Sequence, residues 1–304
     1  VTGSLLHRTL HHQGRLRPVW RLVLFFFFFF ALSITGAMVL SFLPGGSLEL
    51  APYVMLTAAA LGSGWILLAK VEGRPLGALG FALHSDSLRE AATGTGLGAV
   101  LIAAAVLLLW VTGTAHFLPD AGTGASYAAF LGWTFLFFGI AAAFEEALFR
   151  GYPFQLLVEW IGSWPATLFG AAAFSIAHAS NPGIGVIAFG NIFLAGILLS
   201  IAYLKTRSLW FATGVHLGWN WSMSSVFDFP VSGLEFDTPL YTAASVGADW
   251  WTGGGFGPEA GAAGTIALLA GTAWLIRTRQ VGESARMRAL GPIVDRRPEP
   301  GETR

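Results

Sequence analysis

Residues 20–43 read WRLVLFFFFFFALSITGAMVLSFL, an apolar run whose one charge, Arg21, stands at its start. At about 1.5 Å of rise per residue, a helix of this length crosses a hydrocarbon core of roughly 30 Å. The run is too long for the apolar region of a secretory signal, and no small-residue cleavage site follows it. It is therefore expected to be a retained membrane span. Working outward, Gly, Pro and charge punctuate seven more apolar stretches, at about 50–69, 92–113, 127–157, 163–181, 184–204, 208–227 and 260–277. The expected fold is all-α: a polytopic membrane protein of about eight transmembrane helices. A basic arm (1–19) precedes one membrane-embedded domain (20–278), and a polar tail (279–304) with Pro292, Pro298 and Pro300 is expected to be disordered.

Composition agrees. Of 304 residues 54% are hydrophobic and only 11% charged, which excludes an ordinary soluble domain. Lys+Arg and Asp+Glu balance at 17 each, so no net charge draws the chain to nucleic acid. Cysteine is absent, which excludes disulfides, thiolate metal sites and Cys nucleophiles together. No repeat of 20 to 50 residues is visible.

The basic residues give an independent test of topology, because cytoplasmic loops are enriched in Lys and Arg. Arg8, Arg15, Arg17 and Arg21 precede or open the first span. Lys70, Arg74 and Arg89 lie between the second and third, Arg150 in the fourth, and Lys205 and Arg207 between the sixth and seventh. The remainder close or follow the eighth, and the stretches 44–49, 114–126, 182–183 and 228–259 contain none. Both termini are thus predicted to be cytoplasmic and the long 228–259 segment to lie outside. His7, His11 and His12 read with the N-terminal arginines as a juxtamembrane arm, not a metal site. The stretch 74–90, with Leu76, Leu79, Phe81 and Leu83 among charges, reads as interfacial, and Trp250 and Trp251 as interface anchors. Gly94, Gly96 and Gly98 predict close helix approach.

Chemistry is expected where ionisable groups are buried, since a charge at mid-bilayer costs about 3 kcal/mol or more unless it is partnered. Three segments hold such groups: Glu145, Glu146 and Arg150 in AFEEALFRG (143–151), His178 in FSIAH (174–178), and His216 and Asn220 in HLGWN (216–220). Residues four apart share a helix face, so Glu146 is expected to pair with Arg150, leaving Glu145 the freer carboxylate. His216 and Asn220 share a face in the same way. The point midway between 145 and 178 falls on the turn signalled by Gly162, Ser163 and Pro165, so an antiparallel hairpin would bring Glu145 and His178 level.

EE-x-x-x-R at Glu145, Glu146 and Arg150, F-x-x-x-H at Phe174 and His178, and H-x-x-x-N at His216 and Asn220 together resemble the three motifs of the CPBP intramembrane proteases. That family includes the Ras-converting CAAX endopeptidases and the Abi proteins linked to bacteriocin immunity. The strong resemblance spans about 139–224, within a motif core of about 127–228, and Arg74-Pro75-Leu76 with Leu79-Gly80 is similar to a looser family element. The resemblance implies an endopeptidase of the cell membrane with a water-filled cavity open to the cytosol. In it Glu145 and His178 would activate water, His216 and Asn220 would hold the oxyanion, and Glu146, Arg150 and Phe174 would brace the site. The implied substrate is a membrane-associated peptide or lipidated protein, prenylated at a CAAX terminus or not.

Glu145, His178 and His216 could instead be three zinc ligands with an open position for water. The H-E-x-x-H pattern is absent, and the residues favour glutamate-dependent hydrolysis without metal while leaving zinc open. Ser175 lacks a nucleophile turn, and no buried Asp pair supports an aspartyl mechanism. A solute path would call for inverted repeats, which are not seen. A non-proteolytic adaptor or immunity protein on the same fold remains the alternative.

Overall fold

A computed structural model describes residues 10–12, 15–42 and 50–291. His7, the 44–49 loop and Pro292, Pro298 and Pro300 lie outside the described residues. The described residues are 73% helical. Among them the longer helices are α1 (Pro18–Ser41), α2 (Ala51–Leu67, continued by a π turn to Glu72), α3 (Ser87–Val111), α4 (Gly124–Phe149), α5 (Tyr152–Ile161), α6 (Ser163–Ala177), α7 (Val186–Thr206), α8 (Leu209–Trp221, continued by a π turn to Val226), α9 (Ala262–Arg277) and α10 (Ala285–Leu290). Local chemistry sets several ends. Thr123 and Ser126 form a reciprocal capping box that starts α4, and the Ser208 hydroxyl caps α8 by accepting from the Phe211 amide.

Among the described residues five segments are long and apolar enough to cross a membrane: α1, α2 with its π turn, α3, α4 with α5, and α7. Three of the eight predicted spans are not among them: α6 and α9, at 15 and 16 residues, and α8, whose 13 residues and π turn are less apolar. Two of the three carry the motif histidines, and non-helical backbone at membrane depth is tolerated where it lines a cavity. The fourth predicted span also differs, because helix breaks at Gly151. Pro153 has no N–H to continue the ladder, and its ring clashes with the preceding turn.

Helices α3 and α8 meet backbone to backbone. A Cβ on Gly98 would lie 2.0 Å from the Val215 carbonyl oxygen, one on Gly94 2.3 Å from that of Phe211, and one on Gly218 2.0 Å from that of Thr95. Glycine is required there by proximity, which seats the His216 helix directly on α3. Gly96, grouped with them in the sequence, faces open space.

Charge gathers at one end of the bundle. Arg21, 2% exposed, bonds Glu72 at 2.6 Å and Glu159 at 3.0 Å; Arg15 reaches the same two carboxylates, and the Tyr152 hydroxyl donates to Glu72. The N-terminal arm is thus joined to α2 and α5 by internal ion pairs. The stretch 74–90 differs from the expected interfacial layer in being anchored inward as well. Leu79 is buried, its carbonyl accepts from Gln155, and the Ala82 carbonyl accepts from the Trp210 indole, while Leu76 and Leu83 stay exposed. The first part of the tail expected to be disordered packs instead. Met287 is fully buried, and Arg74 and Arg207 both donate to carbonyls at the end of α10. At the opposite end an unforeseen antiparallel ribbon, β1 (Ala115–Pro119) with β2 (Tyr241–Ser245), aligns Ala115 with Ser245 and Pro119 with Tyr241. Two of the segments without Lys or Arg are joined by it. There Trp250 is exposed, while Trp251 donates to Thr112 at the end of α3.

Candidate active site

Glu145 and Glu146 sit one turn before the break at Gly151, and their neighbouring positions send the two carboxylates in different directions. Glu146 is fully buried. It receives the Arg150 guanidinium at 3.0 Å on Oε1, and the same oxygen accepts from His216 Nδ1 at 3.0 Å. Arg150, also fully buried, reaches the Gly196 carbonyl on α7 at 3.1 Å and lies 4.5 Å over the Phe174 ring. One ion pair therefore connects α4, α6, α7 and α8. The sequence anticipated the Glu146–Arg150 pair; that Glu146 also orients His216 could not be read from it, because the two are 70 positions apart.

Glu145 turns into a cavity of about 350 Å³, within the range that encloses small ligands and side chains. Its side chain is 23% exposed, against 0% for Glu146, so it is the carboxylate a substrate can meet. Oε2 lies 3.7 Å from His178 Nε2 and 3.8 Å from His216 Nε2, and makes no hydrogen bond of its own. Both distances exceed direct hydrogen bonding.

The other nitrogen of each ring is occupied. His178 Nδ1 is 2.8 Å from the Phe174 carbonyl oxygen, which can only accept, so Nδ1 carries the proton. The Glu146 carboxylate fixes His216 in the same sense. In the neutral rings both Nε2 lone pairs then point toward Glu145. Phe174 packs 4.5 Å from the His178 ring and edge-on to His216 at 6.0 Å, clamping the pair.

All four residues assigned to the chemistry, Glu145, His178, His216 and Asn220, line this cavity together with Phe174, while Glu146 and Arg150 stand behind it. The remaining wall is largely apolar, from Phe137 and Phe138 on α4 to Leu198 and Leu199 on α7. A second polar group went unnoticed in the sequence: Asn191, Ser232 and Glu259. Glu259 sits outside the spans in a polar loop, without a motif to mark it. Burial raises its carboxyl above the ordinary range, although Ser232 and Trp219 donate to it. Burial also raises Asp228, which nonetheless accepts from the Thr238 and Ala243 amides and so holds the loop onto β2.

Glu145, His178 and His216 are donor types that zinc accepts. Among the described residues, however, no three His, Cys, Asp or Glu side chains form a group that could hold a metal ion.

The arrangement is a helical bundle with a carboxylate, two imidazoles and an amide facing one largely apolar cavity. Residues 127–222 match the type II CAAX prenyl endopeptidase Rce1-like family. The match takes in all three motifs and 96 of the 304 residues, and it supports a membrane protease. No curated protein matches the chain.

Proposed function

We propose that this protein is an intramembrane endopeptidase of eight membrane-crossing segments, with both termini cytoplasmic, that hydrolyses a peptide bond in a membrane-associated substrate. The observation that carries the reading is the buried Glu145 Oε2, free of hydrogen bonds and faced by the Nε2 atoms of His178 and His216. A water between Glu145 and His178 gives its proton to the carboxylate as its oxygen attacks the scissile carbonyl. Asn220 and His216, which share one face of α8, donate to the oxyanion, His216 through an Nε2 proton carried in addition to the Nδ1 proton held by Glu146. Protonated Glu145 then delivers the proton to the leaving amine. The apolar wall accommodates a prenyl group or hydrophobic side chains beside the scissile bond.

The test is cleavage of quenched fluorescent peptides, farnesylated and unmodified, by the detergent-purified protein with and without a chelator. Turnover that survives the chelator supports the glutamate-dependent reaction; a folded protein that cleaves none of them favours an adaptor role. Asn220→Ala is expected to lower kcat about 10²-fold or more with little change in KM, since an oxyanion donor acts chiefly in the transition state. An equal kcat in this variant removes Asn220 from the reaction.

The cavity's loop residues, Asn181, Val231, Ser232, Leu234, Phe236 and Glu259, come from the end opposite the charged one. By the charge count this end is outside, whereas the resemblance implies a cytosolic opening. The native chain has no cysteine, so one thiol reports its own side. Leu234→Cys, at a position 48% exposed, is expected to react with an impermeant maleimide added to intact cells. Protection there, with reaction only in inverted membranes, restores the cytosolic opening.

A further inference from the structure

We propose that Glu259 is a positioning residue that fixes the Ser232-Gly233 turn as the wall of the cavity opposite the catalytic groups; this rests on the hydrolase reading above. The turn is closed by two backbone hydrogen bonds of 2.9 Å, from the Val231 amide to the Leu234 carbonyl and from the Leu234 amide to the Val231 carbonyl. Both central residues are left-handed, Ser232 at φ 53° and Gly233 at φ 80°. That geometry suits glycine but disfavours serine, so something outside the turn must hold Ser232 there.

The Glu259 carboxylate does so. Oε1 accepts from the Ser232 amide at 2.6 Å and from its hydroxyl at 2.7 Å. Oε2 accepts from the Trp219 indole at 3.2 Å, and Trp219 directly precedes Asn220 on α8. One carboxylate therefore ties the loop wall to the helix that carries His216 and Asn220.

Glu259 is itself anchored through its backbone. Its carbonyl accepts from Asn191 Nδ2 at 2.7 Å, and Asn191 Oδ1 accepts from the Thr265 hydroxyl at 2.8 Å, which fixes the position against α7 and α9. The other side of the turn is packed as well: a Cβ on Gly233 would lie 2.1 Å from the Pro182 carbonyl oxygen. No Lys or Arg forms an ion pair with Glu259 among the described residues. Three neutral donors hold the carboxylate, two on Oε1 and one on Oε2, which suits a latch. The substrate side chain that fills the cavity beside the scissile bond meets Val231, Ser232 and Leu234 in the place Glu259 assigns them.

Two readouts test this. Val231, 5% exposed, is replaced by cysteine in the cysteine-free chain and alkylated in detergent. Releasing the turn by Glu259→Gln or Ser232→Ala is expected to speed alkylation of Val231→Cys about tenfold, because charge-assisted hydrogen bonds are lost. In the cleavage assay both variants are expected to raise KM about tenfold while kcat stays within about threefold. Equal alkylation rates in wild-type and variant backgrounds overturn the latch, whether or not the protein cleaves peptides. A fall in kcat with a displaced pH profile and unchanged KM overturns it too, and makes Glu259 a participant in proton transfer. If wild type cleaves nothing while alkylation responds, the latch stands and the hydrolase reading alone fails. Ser232→Ala leaves the buried Glu259 and its Trp219 bond in place, so the test does not depend on the tolerance of Glu259→Gln.

Discussion

Glu145→Gln is expected to reduce peptide hydrolysis about 10²–10⁴-fold while leaving the thermal unfolding of the detergent-solubilised protein unchanged. The amide preserves the volume and polarity of the side chain but cannot accept the proton of the attacking water. Glu145 Oε2 makes no hydrogen bond that the substitution would break, and the carboxylate carries no ion pair with Arg or Lys. Folding and activity should therefore separate at this residue. The comparison is made by single-turnover cleavage of the best peptide. Activity within threefold of wild type removes Glu145 from the reaction and leaves the adaptor reading in possession of the fold.

The second large effect lies one helix face away. Arg150→Met is expected to destabilise the protein by about 3–5 kcal/mol, because it strands the Glu146 carboxylate in the interior. The change also removes the donor to the Gly196 carbonyl and the cation over Phe174. His216 alone would then face Glu146, at 3.0 Å. Activity should fall with stability, since His216 loses the partner geometry that fixes its Nδ1 proton. A thermal shift assay in detergent measures the loss. The double variant Glu146→Gln/Arg150→Met should recover much of it, because neither charge remains to be buried. A single variant that melts with wild type shows that the pair does not brace the site.

These two residues show how much of the site was legible in the chain. Helical periodicity placed Arg150 on Glu146 and left Glu145 free, and the structure agrees at 3.0 Å. His216 and Asn220 were expected to share a face, and both line the cavity. An antiparallel hairpin turning at Gly162 brings Glu145 and His178 level, and they stand 3.7 Å apart even though helix breaks at Gly151 on the way. The break does little harm because α5 carries the chain on to the same Gly162 turn. Glu259 was illegible for the opposite reason: no periodicity relates it to Ser232, 27 positions away, or to Trp219, 40 away.

The sequence by itself determined the solvent and the chemistry. Apolar length demands a bilayer, and the few ionisable groups within it demand partners, both consequences of the cost of leaving water. Neighbours on one helix could be read as well, because a regular helix fixes the position of its next turn. What only the tertiary structure decided is contact between elements: Glu146 on His216, glycine-faced α3 on α8, the β1–β2 ribbon, and the loop wall held by Glu259. Those pairings depend on how helices of unequal length stack and where their ends fray into loops. The packing of many side chains at once settles that, and no local spacing encodes it.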